Sequence, residues 1–81
     1  MTELLRVPEV ILRTGLKEST LFKRVSDGLF PRQIKLNSRS IAWGSHEVEA
    51  MNRAYLSSKS DAEIRELVKN LESNRTGGIN Q

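Results

Sequence analysis

The stretch "TGLKESTLFKRVSDGLFPRQIKLNSRSIAW", Thr14 to Trp43, decides how the chain folds. Gly15 can take the left-handed conformation that closes a helix, so Thr14-Gly15-Leu16 is a tight turn. A helix follows from Ser19 or just before it to about Asp27, and Gly28 stops it. Phe30-Pro31 then turns the chain extended, because the residue before proline is pushed out of helical geometry. Gln33 to Leu36 and Ser40 to Trp43 alternate apolar and polar residues, and Asn37-Ser38-Arg39 joins them, so the segment reads as a hairpin. Ile34, Leu36, Ile41 and Trp43 form its core face.

Upstream of this stretch, Pro8 suits the first turn of a helix, where its missing N–H is not needed, and Val10 and Ile11 supply an apolar stripe. Two short helices joined by a glycine turn form a helix-turn-helix candidate. Downstream, Gly44-Ser45 opens a third helix with Ser45 as N-cap, Glu47 and Glu49 in its positive first turns, and Val48, Met51 and Tyr55 as its stripe. Ser57 to Ser60 is a break, and Ser60-Asp61-Ala62-Glu63 fits the capping box of a fourth helix. Ile64, Leu67, Val68 and Leu71 give that helix an apolar stripe that packs on the domain or pairs with another copy. The reading divides the chain into a domain over residues 1–58, an amphipathic helix over 59–72 and a polar flexible tail over 73–81.

The sequence has 81 residues and no cysteine, so neither disulfides nor thiolate metal sites brace the core. A domain this small buries only about 60% of the surface its unfolded chain exposes, which leaves no room for a deep substrate cavity. The N-terminus lacks the apolar run of a signal peptide, and no segment approaches the roughly 18 apolar residues of a membrane span. A cytoplasmic location is expected.

The formal net charge is +3, and its distribution is uneven. From Arg13 to Arg39 seven basic residues face two acidic ones, a net +5, whereas from Ser45 onward five basic residues face six acidic ones, a net −1. A localised basic region suits a polyanion such as nucleic acid or an anionic membrane; the alternative is an ordinary solvated surface.

On the second helix Leu21, Phe22 and Val25 share one side, and Ser19, Thr20, Lys23, Arg24 and Asp27 lie mostly on the other. In a helix-turn-helix such a face meets base edges in the major groove, with Lys and Arg reaching guanine or phosphate and Ser and Thr reaching phosphate or base. An amphipathic surface helix has the same pattern. The hairpin tip leaves Lys35, Asn37, Ser38 and Arg39 free, with Arg32 at its base, placed to touch phosphates or enter a minor groove. Catalysis finds no support. His46 is a lone histidine beside a helix cap, no serine lies in a nucleophile elbow, and Gly77-Gly78 lacks the lysine of a phosphate loop. Trp43 alternates in phase with Ile41 and belongs to the core rather than to a base-stacking surface.

In this order the motifs resemble those of the AlpA family of phage and prophage regulators. The likeness runs from Leu4 to about Tyr55: Arg6-x-Pro8-Glu9-Val10, Thr14-Gly15-Leu16, Ser19-Thr20-Leu21-Phe22, Gly28-x-Phe30-Pro31, and Trp43 followed by Glu47-Val48. It departs at Met51, where an aromatic residue is expected. The resemblance implies a mainly α fold with a small β-hairpin, a winged helix-turn-helix like those of MerR-type regulators and excisionases, here with an additional C-terminal helix. It implies a DNA-binding protein that regulates transcription, for example of an integrase gene, or promotes excision as a recombination directionality factor. Lys17, Ser19, Thr20, Lys23 and Arg24 would belong to the recognition helix, and Arg32, Lys35, Asn37, Ser38 and Arg39 to the wing. The partner is double-stranded DNA, no cofactor is expected, and an integrase or RNA polymerase stands as a further partner, as does a second copy through Ile64, Leu67, Val68 and Leu71. The rival reading is a protein-interaction adaptor that docks through the last helix.

Overall fold

A computed structural model describes the backbone of residues 3–79 and the side chains of residues 3–75. Pro8 sits in the first turn of helix α1 (Val7–Thr14), and Gly15, with φ of 75°, closes it by donating its N–H to the Ile11 carbonyl. Helix α2 (Glu18–Ser26) ends in a Schellman motif. Gly28, with φ of 77°, donates to the Val25 carbonyl, and Leu29 donates to that of Arg24. The hairpin follows as β2 (Ile34–Asn37) and β3 (Ser40–Gly44), then helix α3 (Ser45–Leu56) and helix α4 (Asp61–Ile79). The fold is mainly α and winged-helix-like.

A short strand, β1 (Leu4–Leu5), was not foreseen. It pairs antiparallel with β3, which therefore lies in the middle of a three-stranded sheet ordered β1-β3-β2. Ser45 makes this pairing firm: its N–H donates to the Glu3 carbonyl and its Oγ accepts the Glu3 N–H at 2.9 Å. The hydroxyl expected to cap α3 is thus spent on β1, and Gly44 is the N-cap instead. Glu47 serves that helix start, accepting the Gly44 N–H at 3.3 Å.

Trp43 is fully buried, and its indole N–H donates to the Pro31 carbonyl at 2.7 Å. Phe22 of α2 and Phe30 pack against it with ring centroids 6.0 and 6.1 Å away. Val10, Leu21, Val48, Met51 and Ile64 complete the inner core, so Met51 fills the position where an aromatic residue was expected. Leu36 corrects the expected hairpin face. The register of β2 against β3 breaks between Lys35 and Asn37, and Leu36 at 37% exposure lies outside the core. Ile34 and Ile41 are only half-buried, while Ala42, on the face read as polar, is fully buried.

The capping box of α4 forms as expected: the Ser60 N–H donates to Glu63 at 2.9 Å, and the Glu63 N–H donates to Ser60 Oγ at 3.2 Å. The Ser60 N–H, followed by the Ser60 hydroxyl, lowers the Glu63 carboxyl from its ordinary value. Ile64, Val68 and Leu71 are buried in the domain's own core and Leu67 packs beside them. The stripe therefore faces inward and is not offered to a second copy or a partner helix.

The helix runs past residue 72, where it was expected to end, to Ile79; residues 80 and 81 lie outside the described residues. Arg75 supplies the reason. Its guanidinium holds the Glu47 carboxylate through contacts of 2.6 and 2.7 Å and donates to the Arg32 carbonyl at 2.8 Å. Glu47 is 1% exposed, which makes this pairing obligatory, since a carboxylate left alone in a core is strongly destabilising. Replacing Arg75 with methionine should lower stability by about 3–5 kcal/mol, and adding Glu47→Gln should restore much of it. Urea unfolding followed by Trp43 fluorescence checks both; equal stability of R75M and the wild type would sink the pairing.

Candidate nucleic-acid interface

Three features shape the outward side of α2. Buried Leu21 and half-buried Phe22 and Val25 point one way because Trp43 and Phe30 lie there. That leaves Ser19, Lys23 and Ser26 in one line on the opposite side, all exposed, with Lys17 exposed just before the first turn. Glu18 at the start and Lys23 and Arg24 in the last turn suit the helix dipole. Lys23 makes only an exposed 3.4 Å contact with Asp27, which adds little stability and leaves the ammonium available to an anion.

Thr20 and Arg24 fall on the flank and are half-buried. The Arg24 guanidinium lies 4.3 Å from the centre of the Tyr55 ring, a cation–π contact that turns it toward α3. Sequence periodicity placed Arg24 with Lys23 but does not reveal this stack, because Tyr55 belongs to a helix distant in sequence. Tyr55 in turn donates its hydroxyl to the Leu29 carbonyl at 2.8 Å, tying α3 to the segment that leaves α2.

In the hairpin, Lys35, Asn37, Ser38 and Arg39 are all exposed, as is Arg32 at its base. The Asn37 side-chain oxygen accepts the Arg39 N–H at 2.9 Å, so Asn37 shapes the tip, leaving Lys35, Ser38 and Arg39 as its open polar groups. The fold brings helix and hairpin together. Val25, Ser26, Arg32, Gln33, Lys35 and Ile41 line one open concavity between the end of α2 and the hairpin base.

Two basic residues of α4 were given no role from the sequence. Arg65 donates from Nε to the Asp27 carbonyl at 3.1 Å, and together with Lys69 and Arg32 it lines a second groove beside the end of α2. Asp27 and Glu72 line the same groove, so basic and acidic side chains are interleaved there. His46, in the first turn of α3, is exposed. Among the described residues no group of three or more His, Cys, Asp or Glu is placed to hold a metal ion, and no helix is long and apolar enough to cross a membrane.

The Tyr55 phenol is pushed above its ordinary value of 10.0, first by burial, with Arg24 pulling the other way. A raised value in the folded state favours the neutral phenol, so this contribution to stability is complete below pH about 10 and is lost as pH rises through the folded value. Tyr55 is the single tyrosine, so phenolate absorbance reports it cleanly. The native titration should lie above that of the denatured chain, and Arg24→Met should move it further up. A native titration below the denatured one would exclude the buried stack.

A sequence model for the family described as Prophage CP4-57 regulatory protein (AlpA) matches residues 3–53, which spans β1 through most of α3. The chain is also 44% identical over 46 residues to the protein "Uncharacterized protein ORF88" of Enterobacteria phage P4, a match covering 57% of this chain and 52% of that protein. The match thus spans about half the length of the curated relative. No solved structure matches significantly.

Proposed function

The chain belongs to the AlpA family of prophage regulatory proteins, and on that premise we propose that it is a sequence-specific double-stranded DNA-binding regulator that works without catalysis. In this reading α2 lies in the major groove and the β2–β3 hairpin flanks it as a wing. The supporting observation is the shared concavity, where the end of α2 meets Arg32 and Lys35 on one exposed, cationic side of the domain. In this reading Ser19 and Lys23 face the groove, and Lys17, Thr20 and Arg24, the last stacked on Tyr55 at the flank, lie at its edges. On the wing, Arg32, Lys35, Ser38 and Arg39 meet phosphates, and Asn37 holds the tip in shape.

The biological roles that fit are control of transcription, for example of an integrase gene, and promotion of excision as a recombination directionality factor. Both use the same groove contacts, with an integrase or RNA polymerase recruited to the bound site. A single module of this kind buries only about 600–1,000 Å², so binding to repeated or clustered sites follows. An adaptor docking through the last helix has lost its surface, because Ile64, Val68 and Leu71 are in the core.

Lys35→Ala/Arg39→Ala should weaken binding to all sequences alike and reduce the slope of log affinity against log salt by about two units, whereas Lys23→Ala should also relax sequence preference. Fluorescence anisotropy on duplexes from the neighbouring promoter or attachment region measures both. Binding that is indifferent to salt and survives Lys23→Glu/Lys35→Glu would refute the assignment.

A further inference from the structure

The backbone of Arg32 is gripped from both sides by α4. Its N–H donates to the Glu72 carboxylate at 2.7 Å, and its carbonyl accepts from the Arg75 guanidinium at 2.8 Å. Arg75 is itself anchored on buried Glu47, and Glu72 also stands 3.7 Å from the Arg32 guanidinium. Arg32 is the residue at which the chain leaves the Phe30-Pro31 core segment for β2, so its backbone sets the direction of the hairpin. The Arg32 side chain is 78% exposed, which shows that the grip is on the peptide rather than on the head group. Both gripping residues lie after residue 53, outside the segment that the family model matches.

We propose that Glu72 and Arg75 are positioning residues for the wing: by holding the Arg32 peptide they fix the angle at which the hairpin leaves the domain, and DNA affinity depends on them although neither touches DNA. The proposal rests on the DNA-binding reading for its consequence and on the free protein for its geometry. Charge gives it a distinctive sign. Glu72 is an acid beside a cationic face, so electrostatics alone predict that removing it tightens binding to a polyanion. Loss of the grip predicts the opposite.

The test uses the full chain. In the free protein, Glu72→Ala should speed amide hydrogen exchange in β2 and the hairpin tip while core amides around Leu21 and Met51 keep their protection; unchanged hairpin exchange would overturn the grip. On a fluorescein-labelled random-sequence duplex at low salt, Glu72→Ala should bind about tenfold more weakly, the scale of one lost charge-assisted hydrogen bond. Glu72→Gln, which keeps an oxygen acceptor and loses the charge, should bind at least as tightly as the wild type. In the Lys35→Ala/Arg39→Ala background the Glu72→Ala loss should shrink to below about twofold, because a residue that acts through the wing has nothing left to act on. Tighter binding by Glu72→Ala, or an undiminished loss without the wing cations, would overturn the proposal. Glu47→Gln/Arg75→Met, which leaves no unpaired buried charge, should reproduce the wing exchange and the affinity loss of Glu72→Ala. Failure of the wild type itself to bind the duplex, with the hairpin exchange still responding to Glu72→Ala, would refute the DNA reading rather than the grip.

Discussion

The hydrogen bond from the Trp43 indole to the Pro31 carbonyl is the contact around which the domain is arranged. It joins the middle strand of the sheet to the segment that leaves α2, and the same ring carries Phe22 from α2 and Phe30 from that segment. Helix and hairpin are therefore positioned by one buried side chain. An indole taken into a core needs an acceptor for its N–H, and the buried Pro31 carbonyl supplies it. The orientation of the basic face of α2 relative to the hairpin cations follows from this packing, because Phe22 points α2's apolar side at Trp43 and turns Ser19 and Lys23 outward.

Electrostatics adds a second constraint of a different kind. Burying Glu47 costs desolvation that Arg75 offsets, and such a pair contributes little beyond what two apolar side chains of similar size would. Its effect is on specificity of arrangement. Once Glu47 is inside, α4 must continue far enough to deliver Arg75, and in doing so it brings Glu72 and Arg75 against Arg32. A carboxylate at the start of α3 thus accounts for α4 reaching Arg75 and for what the base of the hairpin rests on.

The helices were legible because their signals are local. Gly15 and Gly28 do adopt the left-handed backbone that ends α1 and α2, and Ser60 and Glu63 cap α4 reciprocally. The hairpin was legible from its alternation, except at Leu36, where the break in register takes the side chain off the core side. What sequence patterns could not carry was non-local. A two-residue strand such as β1 has no period to detect and exists because Glu3 and Ser45 meet. Glu47 matched the ordinary acidic first turn of a helix, and Arg75 stood in a polar stretch, so neither hinted at the other. The exposure of Ser19, Lys23, Lys35 and Arg39 followed from the pattern, while the turning of Arg24 onto Tyr55 and the presence of Arg65 and Lys69 beside Arg32 depend on contacts between elements.

The family match ends at residue 53, yet the folded unit does not. Ile64, Val68 and Leu71 belong to the same buried core as Phe30 and Met51, and Arg75 neutralises the carboxylate buried at the start of α3. A domain of this size has few apolar side chains to spare, so those contributed by α4 are part of what makes the rest fold. The boundary drawn by shared sequence and the boundary drawn by packing are therefore different boundaries. Between them lies a helix whose inner stripe and polar hooks are both turned toward the domain, which suits a brace for the hairpin better than an appendage to it.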